Sequence, residues 1–532
     1  MTSAAVLRTA PILQVRPLSL RQNWDAVLLI ALAALVFRPW DAAHLPLTDF
    51  GLFLSARGTS DSLFSQYSGI ASYYFGEGRF CLITYLYMVL GSAAFGTWAP
   101  GWHWTYFALN VGVLLLARSL FAKMGIDRIA SLIALALWAT MGPTAELWIR
   151  IAGEPVALIF FLVALHLALN YAHAEDWRRR AFLIAALAIA IVFTKELLVV
   201  LLPAGWILSR VTLDDREWKW APWSSRDTFL LSIVSAAVLL AMIPVAYVAT
   251  HASAESYAAQ YALRAPMWRS LLERLEIALV PSGARLHWLS SLTNDPAWIV
   301  IRTLPNLLWI AMILTAVLAE TRRRILWPLA IGLSWVLAGV LAYLPWPSQG
   351  MFYMMPFALG TMLLAAHALS KPLARDSKHR RAVLGIATLL LVVSSVEARS
   401  TLNQHRLRAT LNAGLIDEIT RRGGAATLIG AVPEPLPGTG GWANHIRGFG
   451  TVATGMRIGH WRDMSCADAK TALAVTPGAV VISSAGGCGQ IADSSLVVSG
   501  SVPRARWPLI WKTARSEGRM FIATSPSAGG PS

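Results

Sequence analysis

Charge is scarce in this chain, and that scarcity narrows the field first. Only 14% of its 532 residues are charged, whereas a soluble domain carries about 25%. This excludes an ordinary soluble enzyme, a disordered protein and a coiled coil. Cysteine is scarcer still. Three residues in the whole chain exclude a disulfide scaffold and a cysteine-rich zinc protein. Several motifs are missing as well. Without a Walker A sequence, ATP is not expected to drive the protein. There is no G-x-S-x-G nucleophile elbow, and no H-x-x-H or H-E-x-x-H spacing that would hold zinc. The glycine-rich stretches 438–441 and 448–455 lack the strand–turn–helix setting of a dinucleotide site.

What is present in abundance is apolar. Hydrophobic residues make up 56% of the chain, and the mean hydropathy is +0.54. Apolar runs lie near 26–36, 102–121, 129–145, 153–172, 181–194, 196–209, 228–249, 299–319, 325–344, 351–369 and 382–397. Runs of this kind predict an all-α polytopic membrane protein with about 11 transmembrane helices. No small-residue cleavage site directly follows the first run, so it reads as a retained span. The net charge of +16 would suggest nucleic acid in a soluble protein. Here the basic residues sit in short clusters between apolar runs, as membrane-flanking loops do, and no nucleic-acid-binding motif accompanies them. No nucleic acid partner is expected; membrane lipids are.

Charge also sets the expected topology. A further apolar stretch, 80–95, could be a span or an interfacial helix. If it does not span and the basic segment 1–24 is cytoplasmic, five clusters fall inside: Arg118/Lys123/Arg128, Arg178–Arg180, Arg210/Arg216/Lys219/Arg226, Arg322–Arg324 and Lys371/Arg375/Lys378/Arg380/Arg381. The positive-inside rule then holds throughout, and 80–95 is expected along the outer surface. The transmembrane domain is expected over 25–398, with outer loops at 41–101 and 251–298. The latter reads as partly helical. Composition shifts near Arg399 towards Gly, Ser and Thr. Short apolar runs at 425–432, 479–483 and 520–523 read as strands. They predict a small α/β domain over 399–532, periplasmic by the odd number of spans. Cys466 and Cys488 lie in it. On that side of a bacterial membrane they could form a disulfide, or remain two buried thiols.

Ionisable groups at outer membrane ends carry the functional information, because charge near lipid is costly. Asp49, just past the first span, can serve as a general base, bind a divalent metal, or merely cap a helix. Arg79 can clamp a phosphate in a bidentate fork, or pair with Glu77. Glu154 opens a span beside Pro155, also an ordinary helix-start pattern. Lys195 and Glu196 interrupt two apolar runs at an outer turn; the lysine can meet a lipid phosphate, or the pair can simply mark a hairpin. The middles of the spans are nearly free of charge, which argues against an ion-coupled transporter.

Four of these places together resemble the GT-C superfamily of integral-membrane glycosyltransferases, whose bacterial members include relatives of protein O-mannosyltransferases and the lipid A aminoarabinose transferase. Asp49 matches the acidic residue of the first outer loop. Gly78-Arg79, with the apolar helix behind it, is similar to the family's stretch entering the second span. Gly153-Glu154-Pro155 resembles its Glu-Pro opening of a span. Thr194-Lys195-Glu196, running on to Pro203, resembles its Lys-Glu turn ending in Leu-Pro. Tyr353 in Tyr-Met-Met-Pro is a weaker match. The likeness covers roughly 25–370 in order and topology. The sequence departs from the pattern at Phe352, where the family often has Arg, and at Phe80-Cys81-Leu82, where Pro-Leu is commoner.

The resemblance implies a polyprenyl-phosphate-linked sugar donor and a lipid, glycan or protein acceptor of the cell envelope. Asp49 would be the catalytic base of an inverting displacement. Arg79 and Lys195 would bind the donor phosphate. Glu154, Glu196 and Tyr353 would orient Lys195 or the substrate. No metal ligand set follows from it. The rival classes are a lipid or solute transporter or flippase, and a non-catalytic scaffold.

Overall fold

The computed structural model describes residues 23–41, 62–148, 152–214, 217–252, 267–281, 304–315, 318, 327–344, 351–374, 377–433, 441–493, 495–501 and 517–525. Asp49, with residues 42–61 of the first predicted outer loop and residues 253–266 and 282–298 of the second, lies outside these residues.

The described chain is mostly helical. It begins with α1 (Trp24–Phe37), α2 (Leu63–Gly76), α3 (Leu82–Phe95), α4 (Ala99–Lys123), α5 (Arg128–Thr140), α6 (Gly142–Leu147), α7 (Glu154–Ala168) and α8 (Trp177–Thr194). A 3-10 segment, Glu196–Leu201, leads into α9 (Leu202–Ser209). A hairpin of β1 (Val211–Asp214) and β2 (Glu217–Trp220) follows, then α10 (Ser225–Thr250), α11 (Met267–Leu279), α12 (Leu304–Thr315), α13 (Trp327–Tyr343), α14 (Met355–Ala374) and α15 (Ser377–Arg421). Among the described residues α4, α10 and the stretch Arg380–Arg421 are long and apolar enough to cross a membrane, and several shorter apolar helices accompany them. α10 shows why lipid suits these faces: Leu239, Leu240, Ile243 and Tyr247 all point outward, an apolar exposure that water would penalise.

Local chemistry explains the breaks. Asp127 accepts from Ile129 N and Ala130 N and so starts α5. Ser224 and Asp227 form a capping box at the head of α10. Asp227 then pairs with Arg210, whose guanidinium also lies over the Trp220 and Trp223 rings. The expected helix over 196–209 is instead a 3-10 turn followed by α9, with Pro203 in the first turn of the latter.

The composition change at Arg399 does not end a helix. α15 runs unbroken for 45 residues, about 67 Å of rise. Its first half packs in the bundle core through Leu390 and Ala398. Its second half packs beneath the C-terminal sheet through Leu407, Leu411, Leu415 and Ile419. The sheet comprises β3 (Ala425–Ala431), β4 (Ile458–Met464), β5 (Ala479–Ser484), β6 (Leu496–Ser501) and β7 (Glu517–Thr524), with α16 (Gly441–Thr454) and α17 (Cys466–Val475) as crossovers. The order is β4-β3-β5-β7-β6, parallel among the first three and antiparallel at β7. Alternation along β3 sends Leu428 towards α15 and Ile429 towards α17. Cys466 and Cys488 are joined by a disulfide, with Cα atoms 5.4 Å apart.

Candidate functional site

Three separate motifs meet at one end of the helix bundle. α7 begins there, α8 ends there, and the loop from α2 into α3 crosses between them. Gly153 makes the meeting possible. A Cβ on it would lie 2.5 Å from Thr84 Oγ1 and 2.9 Å from the Thr194 carbonyl, so only glycine admits this approach. Thr84 Oγ1 donates to Thr194 O at 2.6 Å, tying α3 to the end of α8. Tyr87 Oη donates to Ala152 O at 2.7 Å and accepts from Tyr106 Oη at 3.3 Å, tying α3 to the head of α7 and to α4.

The charged side chains converge inside this frame. Beyond Thr194 the backbone turns extended, with Lys195 at φ −155° and ψ 96°. That turn directs Lys195 inward. Its Nζ lies 3.0 Å from Glu154 Oε1 and 4.7 Å from the centre of the Tyr353 ring, which arrives from the 3-10 turn ahead of α14. Both members of the ion pair are buried: 7% of the lysine side chain and 1% of the glutamate are exposed. Arg79 stands beside them. Its Nε is 3.9 Å from Glu196 Oε1, and its guanidinium lies over the Tyr74 ring at 5.6 Å. The field of Glu196 reaches both Arg79 and Lys195. The arrangement holds two cations and two carboxylates in a confined place, the kind of preorganised charge that can stabilise a developing oxyanion.

One further member was not among the expected residues. Cys81 Sγ donates to Glu196 Oε2 at 2.7 Å, and Arg79 Nη2 reaches the same sulfur at 4.0 Å. Burial, with Glu196 beside it, pushes the thiol up to about 12, so it stays a protonated donor. Tyr85 Oη braces the same turn, accepting from Cys81 N and donating to Arg79 O. The departure Phe-Cys-Leu after Arg79 was the visible sign of Cys81, but nothing local tied it to Glu196.

The structure therefore brings together Arg79, Glu154, Lys195, Glu196 and Tyr353. Asp49 lies outside the described residues. Cys466 and Cys488 belong to the C-terminal domain and take no part. That domain stands at the same end of the bundle, and its Phe449, on α16, packs against the cluster of Ile70, Tyr74 and Tyr85 around which the Arg79 turn is built. Among the described residues no group of three or more His, Cys, Asp or Glu is placed to hold a metal ion.

No protein-family model matches the chain, and neither does any curated protein sequence. Several solved structures resemble it, two of them as follows. One is ArnT from Cupriavidus metallidurans bound to undecaprenyl phosphate, at 13% identity and a TM-score of 0.47, covering 96% of this chain and 100% of that one. The other is the Archaeoglobus fulgidus oligosaccharyltransferase in complex with Zn and sulfate, at 11% identity and a TM-score of 0.46, covering 86% of this chain and 68% of that one. Similarity at this distance transfers neither substrates nor residue roles.

Proposed function

We propose that this chain is a membrane glycosyltransferase. It moves a sugar from a polyprenyl-phosphate-linked donor to an envelope lipid, glycan or protein on the periplasmic side of a bacterial inner membrane. About 11 spans, a cytoplasmic N-terminus and a periplasmic C-terminal domain complete the reading. The supporting observation is the convergence of Arg79 and Lys195, each backed by its own carboxylate, at one end of an apolar bundle.

In this reading the acceptor's hydroxyl or amine attacks the anomeric carbon as Asp49 takes its proton. The bond from that carbon to the phosphate oxygen breaks, and the polyprenyl phosphate leaves with the electron pair. Arg79 and Lys195 stabilise the charge that grows on the phosphate, where removing a preorganised donor typically costs about 10²–10³ in rate. Glu154 holds Lys195 from below and Tyr353 from its ring face. Glu196 holds Arg79.

The test is mass spectrometry of lipids and glycans from a deletion strain, complemented with wild type, Asp49→Asn or Arg79→Gln at equal membrane abundance. Deletion is expected to remove a sugar that wild type restores and neither variant does. Full restoration by Asp49→Asn would remove the base from the mechanism. A deletion strain with no altered glycoconjugate would overturn the transferase reading itself.

A further inference from the structure

We infer that the end of α1 carries a second phosphate-binding site, for the headgroup of an anionic membrane lipid, formed by Arg38, Arg399 and Arg406 around Asp41. It does not depend on the glycosyl-transfer reading.

Three guanidinium groups share one carboxylate oxygen: Arg38 Nη1, Arg399 Nη2 and Arg406 Nη1 stand 3.7, 3.8 and 3.7 Å from Asp41 Oδ2. None is at the 2.7–2.9 Å of a charge-assisted hydrogen bond. The opposite end of α1 is built differently. There Asp25 is held by Arg118 at 2.6 and 2.9 Å and by Arg128, in closed contact. Part of the outer cluster's role is plain: Arg399 donates to Val36 O, and Arg406 to Phe37 O and Arg38 O, which caps the exposed carbonyls of α1. Among the described residues, capping and Asp41 leave two positive charges in excess, and Arg406 Nε is buried without a hydrogen-bond partner. A phosphate would supply both the missing charge and the missing acceptors.

Position argues for a lipid as its source. Trp40, next to the cluster, is 51% exposed and lies 6.4 Å from the half-exposed Trp104, with exposed Trp98 at the head of the same helix. Exposed Trp24 marks the other end of α1. Trp24 opens α1 and Trp40 lies in the 3-10 turn just past its end, so the two bracket a helix of roughly 20 Å rise, much of the thickness of a bilayer's hydrocarbon core. Such belts sit at headgroup level. Between them Leu28 and Leu35 share one outward face of α1, a track for an acyl chain that leads up to Arg38.

The test uses the full-length protein in nanodiscs of phosphatidylcholine with or without phosphatidylglycerol, read by native mass spectrometry, with inorganic phosphate as a competing probe. Arg38→Gln is the main variant, because Arg38 is half-exposed and, among the described residues, its guanidinium bonds no α1 carbonyl. Arg406→Gln is the second. Wild type is expected to retain phosphatidylglycerol, and each variant to retain about five-fold less, with Arg38→Gln melting as wild type does. Equal retention by wild type and Arg38→Gln would overturn the site. Displacement of the lipid by millimolar inorganic phosphate, with no preference for phosphatidylglycerol over phosphatidylcholine, would overturn the lipid assignment.

Discussion

Lys195 Nζ stands 3.0 Å from Glu154 Oε1, and neither side chain reaches solvent to any useful extent. A lysine that ends one helix and a glutamate that opens another thus neutralise each other inside an apolar frame. Removing one partner of such a pair leaves the other charged and uncompensated.

The pair therefore has a stability signature separable from any catalytic one. Lys195→Met should destabilise by about 3–5 kcal/mol, and Glu154→Gln/Lys195→Met should recover most of that loss. Thermal unfolding in detergent, followed by tryptophan fluorescence, reads the first effect. Sugar transfer in membranes reads the second. In the proposed mechanism the double variant folds but does not transfer. A double variant that is stable and active would detach Lys195 from the chemistry.

Gly153→Ala tests the frame rather than the charges. The added methyl must push apart Thr84 and the Thr194 carbonyl, and overpacking of this kind costs about 1–3 kcal/mol. The expected result is a lower melting temperature together with lost transfer. Gly69→Ala, where a Cβ meets nothing within 4 Å, should do neither.

Cys81 should behave as a buried, protonated donor. With its thiol pushed up from 9.0 to about 12, the folded state holds the proton more tightly than the unfolded chain. Its contribution to stability is then complete below about pH 9 and is lost as pH rises towards about 12. Maleimide at neutral pH should leave the folded protein unlabelled. After denaturation without reductant one thiol should react, and after reduction three, since Cys466 and Cys488 are paired. Cys81→Ser, which keeps a donor to Glu196, should preserve more activity than Cys81→Ala.

Phe449 couples the C-terminal domain to the turn that holds Arg79. Phe449→Ala should cost about 0.5–3 kcal/mol and lower transfer more than expression. Unchanged transfer at a lowered melting temperature would make the domain a brace with no influence on the site.

Much of this molecule was legible locally. Apolar runs mark most of the helices, since exclusion from water or preference for lipid depends on the residues of a segment alone. The short apolar runs at 425–432, 479–483 and 520–523 mark β3, β5 and β7 for the same reason. The motifs around Arg79, Glu154 and Lys195 also stood out, because charge beside an apolar run is conspicuous. Other features were masked by local composition. The β1–β2 hairpin sits among basic residues that read as a loop. The continuity of α15 past Arg399 rests on Leu407, Leu411 and Leu415, a four-residue spacing within an otherwise polar stretch.

What tertiary structure alone decided is who faces whom. Nothing near Lys195 in the sequence names Glu154 as its partner, and nothing near Cys81 names Glu196. Those pairings follow from helix packing over long separations, and they depend on a Cβ that Gly153 lacks and on a backbone that turns extended at Lys195. The same holds at the end of α1, where Arg399 and Arg406 join Asp41 only because α15 passes beside it. Sequence sets which segments leave water and where charge is tolerated; packing sets which charges share one site, because proximity across the chain is a property of the folded bundle and of no segment within it.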